Sequence, residues 1–108
     1  MTYVISPSHK ALTALGDPTR RALFEAVAAQ PRSVADLAKT QPISRPAVSQ
    51  HLKVLSDAQL VSAEPQGTRR IYRLNTAGLE ALRSYLDQFW GDALGAYGAE
   101  VRRRTQPN

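Results

Sequence analysis

The strongest constraint on the fold is a change of period. Between residues 11 and 58 apolar side chains recur at steps of three and four, the repeat of a helix with one buried stripe. After Ala58-Gln59 the repeat shortens to two. The segments "LVSAEP" and "RRIYRL" flank "QGT", and β-branched and aromatic residues alternate with polar ones, which predicts a two-stranded hairpin with Gly67 at its tip. Tyr72 and Ile71 then point to opposite faces, so one of them belongs to the core. From Asn75 or Thr76 the helical repeat returns, with Leu79, Leu82, Leu86, Phe89 and Ala93 in a narrow heptad-like seam. A chain of 108 residues holds one such unit, not two. The expected domain covers residues 1–101, followed by a basic flexible tail over 102–108.

Punctuation places the helices before the hairpin. Ser6-Pro7 opens the first, with Leu12 and Leu15 on one side, and Gly16 closes it. Asp17 caps the second with Pro18 at its first position, and Leu23 and Val27 carry its buried stripe until Gln30-Pro31. Ser33 starts a short third helix ending near Thr40, with Asp36 spaced as in a capping box and Val34, Leu37 and Ala38 on its apolar side. The connection Gln41-Pro42-Ile43-Ser44 leads into "SRPAVSQHLKVL". Here Ser44 caps, Pro46 fits the first turn, and Val48, Leu52 and Leu55 fall at i, i+4 and i+7.

That order, three helices with a turn before the longer fourth one, then a hairpin and a last helix, is the winged helix-turn-helix arrangement. The expected class is mainly α, about five helices plus a two-stranded wing. With one helix stripe in the core, Arg45, Pro46, Ser49, Gln50 and Lys53 form the opposite face, and most of these side chains are short enough for close approach to DNA. Arg45 suits guanine O6 and N7, Gln50 suits adenine N6 and N7, Ser49 adapts to either, and Pro46 can meet a thymine methyl. Lys53 and the backbone at the capped Ser44 end suit phosphate. His51 sits beside the core stripe, where packing and a phosphate contact are equally open. On the hairpin, Thr68, Arg69 and Arg70 fit a DNA backbone or a minor groove. Arg73 lies on the same hairpin, where strand alternation can turn it away from that surface.

Charge agrees with an anionic partner. The net charge is +5, and eleven of the fourteen basic residues are arginine, whose planar fork matches phosphate and guanine edges. Without cysteine there is no disulfide framework and no thiolate metal site. The expected location is the cytoplasm, since no basic-then-apolar leader and no stretch of about 20 apolar residues is seen. An enzyme is poorly supported: there is no thiol nucleophile, phosphate-binding glycine loop or paired histidine and acid.

The blocks "ALGDPTRRALFEAV", "SVADLAKT", "ISRPAVSQHLKVLSDAQLV" and "GTRRIYRLN" resemble consecutive stretches of the ArsR/SmtB family of small dimeric repressors, over about residues 10–97. The resemblance implies a homodimer bound to double-stranded DNA at an imperfect palindrome, with Arg45, Pro46, Ser49 and Gln50 reaching base edges. It also implies that the first and last helices pack across a two-fold axis, here through Leu12, Leu15, Leu79, Leu82, Leu86, Phe89, Trp90 and Tyr97. Metal sensing does not carry over. The cysteine pair of metal-sensing relatives is replaced around Val34 to Asp36, and the last helix offers Asp87, Asp92 and Glu100 without a histidine. No cofactor is expected; an effector, small molecule or protein, is left open. Gln59 stands where relatives often have glycine, at a position expected to be left-handed. The alternative to a DNA-binding regulator is a winged-helix module that contacts protein through the same surface.

Overall fold

The computed structural model describes the backbone of residues 6–105 and the side chains of residues 6–91 and 93–95. The elements are α1 (Pro7–Leu15), α2 (Pro18–Ala29), β1 (Arg32–Ser33), α3 (Val34–Ala38), α4 (Arg45–Asp57), β2 (Val61–Gln66), β3 (Arg69–Leu74) and α5 (Thr76–Thr105). This is the expected winged helix-turn-helix order, with two differences at the level of elements.

The first is a third strand. β1 pairs antiparallel with β3, matching Arg32 to Tyr72 and Ser33 to Ile71, so the sheet runs β1-β3-β2 and the wing is not an isolated hairpin. A strand of two residues is too short to show alternation, and here it doubles as the approach to α3, whose cap is Ser33. The second is the length of α5. It runs through Thr105, so residues 102–105, expected in a flexible tail, are helical. Val101 and three arginines contain no breaker, and the first proline beyond them is Pro107. Residues 106–108 of that expected tail, and residues 1–5, lie outside the described residues.

Side chains cap the helices as their residue types require. The Oγ of Ser6 accepts from His9 N–H at 3.2 Å, and Asp17 Oδ1 accepts from Arg20 N–H at 2.9 Å. Ser33 Oγ accepts from Asp36 N–H at 3.2 Å and Ser44 Oγ from Ala47 N–H at 3.3 Å. At the other ends, arginines do the work. Arg20 Nε donates to Ala14 O at 2.8 Å and Arg21 to Leu15 O at 3.1 Å, satisfying the last carbonyls of α1. Arg32 Nε donates to Ala26 O at 3.0 Å and closes α2.

One core joins these elements. Ala11, Ala14, Leu23, Val27, Leu37, Val48, Leu52, Leu55, Leu60 and Val61 are fully buried together, and Tyr72, not Ile71, is the inward residue of β3. In α1 the alanines face that core, which leaves Leu12 exposed. No helix among the described residues is long and apolar enough to cross a membrane.

Candidate nucleic-acid interface

The recognition candidate is α4. Its buried stripe is Val48, Leu52 and Leu55, as its spacing requires, and Arg45, Pro46, Ser49, Gln50 and Lys53 are all exposed. The helix packs against α2 and α3 behind it, so its orientation is set by the core rather than by its polar face. Ser44 is exposed at the N-terminus, where its oxygen accepts from Ala47 N–H. His51 is half-buried, between the two faces.

Asp17 caps α2 from the turn before it, accepting from Arg20 N–H. Its carboxyl is held below the ordinary carboxylate range, first by the hydrogen bond from Arg20 N–H. Partial desolvation opposes that shift; the charge of Arg20, the Thr19 N–H and the charge of His51 add to it.

The wing closes in two residues. Gln66 pairs with Arg69 across the sheet, and Gly67 between them has φ +64°, a backbone conformation that glycine adopts without strain. Thr68, Arg69 and Arg70 are exposed at this tip. A groove of about 220 Å³ is lined by Arg69 and Arg70 together with Ser33, Val34 and Ala35, so the wing arginines lie beside the start of α3, which itself packs on α4. Arg73 differs. Its Nε donates to Glu64 Oε2 at 3.0 Å, within the hairpin. Three of the arginines that raised the net charge are thus occupied as helix caps and a fourth as a cross-strand pair, leaving Arg45, Lys53, Arg69 and Arg70 as the exposed cations of the recognition helix and wing tip.

A family model described as a helix-turn-helix domain matches residues 15–62, from the end of α1 to the start of the wing. The HTH-type transcriptional regulator Rv2034 of Mycobacterium tuberculosis is 56% identical over 88 residues, 82% of this chain and 82% of that protein. The chain belongs to the ArsR/SmtB family of winged helix-turn-helix transcriptional regulators. Among solved structures, a "possible transcriptional regulator for arsenical resistance" superposes with a TM-score of 0.70 at 41% identity, covering 84% of this chain and 95% of the other. The homodimeric winged helix-turn-helix DNA-binding domain of Mb0332 from Mycobacterium bovis, a "possible ArsR-family transcriptional regulator", has a TM-score of 0.62 at 28% identity, covering 80% and 79%. Further curated relatives are named as transcriptional repressors.

Within this family member, the residues expected at a subunit contact divide into two groups. Leu15, Leu79 and Leu82 are partly buried against the chain's own core. Leu12, Leu86, Phe89 and Trp90 are exposed, the last two by 57% and 51%. Tyr97 lies outside the residues whose side chains are described. Tyr85 and Leu94, which the narrow seam did not include, are also exposed and flank it on either side. At 100° per residue the exposed apolar arc from Tyr85 to Leu94 spans about half of the helix, wider than a seam for one neighbour. Among the described residues no three His, Asp or Glu side chains come together as metal ligands would.

Proposed function

We propose that this chain acts as a homodimer, in the cytoplasm, repressing transcription by occupying an imperfect palindrome within a promoter. In this reading α4 enters the major groove, where Arg45 and Gln50 read base edges, Ser49 and Pro46 complete the contact, and Ser44, His51 and Lys53 position the helix on phosphates. Thr68, Arg69 and Arg70 hold the flanking backbone or minor groove. The role is binding, with no chemical step and no cofactor.

The observation that carries this reading is the division of α4: three apolar residues at zero exposure on one side, and an exposed arginine, glutamine, serine and lysine face on the other. The apolar ridge of α5 supports the dimer, since large apolar side chains in one continuous exposed patch mark an association surface. The homodimeric Mycobacterium bovis domain supports it as well. A dimer presents two recognition helices to half-sites about 10 base pairs apart.

Selection from a random duplex library tests the proposal. The expected product is a palindrome with half-sites spaced by about one helical turn. Sequences without two-fold symmetry, or no enrichment at all, contradict it.

A further inference from the structure

The C-terminal end of α4 is tied to the N-terminal end of α5 by an arrangement that the DNA-reading face does not need. Beyond α4 the chain turns through Gln59, the only non-glycine residue with positive φ among those described, at +61°. Leu60 N–H donates back to Leu55 O at 3.0 Å and Gln59 N–H to Ser56 O at 2.9 Å, the two bonds of a Schellman motif. The turn leaves the Gln59 carbonyl pointing away from α4. It accepts from Gly78 N–H at 2.8 Å, and Gly78 lies in the first turn of α5, whose N–H groups have no partner within their own helix.

Three further features reinforce the junction. Asn75 Oδ1 accepts from Ala77 N–H at 3.0 Å, while Asn75 Nδ2 donates to Gln59 Oε1 at 3.3 Å. Asn75 N–H donates to Leu60 O at 2.9 Å. Gly78 itself is buried, and a β-carbon there falls 2.4 Å from Ala58 O and 2.7 Å from Gln59 O. Those oxygens are backbone atoms and cannot swing aside. The carbonyl end of one helix dipole therefore meets the amide end of the other at a distance only glycine permits.

We infer that the Gln59–Gly78 junction is a positioning device, which fixes the angle between the recognition helix and the helix that carries the subunit contact. The inference rests on the reading of α5 as the dimer helix and α4 as the DNA helix. In a dimer any wobble of α4 relative to α5 appears twice, as a spread in the distance between the two recognition helices, so a stiff junction is what makes half-site spacing selective. Gly78 and Asn75 are positioning residues in this scheme and need touch no DNA.

Because the chain has no cysteine, Lys53→Cys and Gln88→Cys introduce a single pair of spin labels, one on α4 and one on α5. Diluted with unlabelled protein, the pair reports the intrachain distance whatever the oligomeric state or DNA affinity. A single narrow distance is expected, shifted or broadened by Gly78→Ala. In otherwise unlabelled protein, Gly78→Ala weakens binding to the selected palindrome about tenfold, leaves random DNA unchanged, and tolerates one base pair inserted between half-sites better than the parent does. A merely structural role for Gly78 lowers binding to all duplexes alike. If Gly78→Ala does not fold, Asn75→Ser, which keeps the cap and loses the Gln59 contact, is read the same way. A parental distance distribution in the variant, or equal losses on every duplex, overturns the inference. Failure of the parent to select any duplex overturns the DNA-binding proposal instead, and the spin-label distances still decide the junction.

Discussion

Arg45 and Asp17 make opposite use of charge. Arg45 is exposed at the start of α4. Replacing it with alanine is expected to cost about 1–3 kcal/mol on the selected duplex and to relax preference at one base pair. Binding curves on single-base variants of that duplex check this, and an equal loss on all sequences assigns Arg45 to phosphate. Asp17 holds its charge for the fold. Its carboxyl is depressed in the folded state chiefly by the Arg20 N–H. The stability it contributes is therefore present above the ordinary carboxylate range and is lost as pH falls through the lowered folded-state value. Asp17→Asn keeps a capping oxygen and loses the titration, so its melting temperature should depend less on pH on the acid side than the parent's. Parallel melting profiles contradict the assignment.

Elements were legible in proportion to their periodicity. The stripes of α2 and α4 could be read because Leu23, Val27, Val48, Leu52 and Leu55 repeat at helical steps, and all five are buried. In α1 the repeat misleads: the leucines draw attention, but Ala11 and Ala14 are the residues fully buried in the core. β1 has no period to read, and the burial of Gly78 depends on a contact with residues 58 and 59 that spacing does not reveal. The arginines show another limit, since Arg20, Arg21 and Arg32 look like surface charge in sequence and act as carbonyl caps in the fold. In α5 the division between Leu82, which packs inward, and Phe89, which does not, decides which substitution tests association. Phe89→Glu should leave the melting transition of the monomer fold intact and shift sedimentation from dimer to monomer. An unchanged dimer moves the subunit contact off this ridge.

For the molecule as a whole, shape and charge act together. In the proposed complex its two DNA-facing parts act differently: the exposed α4 face offers hydrogen-bonding groups for base edges, and the wing tip offers two adjacent arginines. Arg69→Ala is accordingly expected to weaken every duplex alike and to lower the slope of log affinity against log salt by about one unit. An unaltered slope removes the wing from the interface. The family and its fold followed from the order of elements and from four sequence blocks, and the overlap with Rv2034 over 82% of the chain agrees with them. The operator itself is not written in either, because base choice depends on how the helix sits in the groove. The most direct test of the central claim is the ratio of dissociation constants for the selected palindrome and for a scrambled duplex of equal composition, measured by fluorescence anisotropy at physiological salt. A ratio of at least about a thousandfold in favour of the palindrome, with two chains bound per duplex, is the predicted result. Equal affinities, both steeply salt-dependent, would show that the exposed face of α4 contributes charge and does not read sequence.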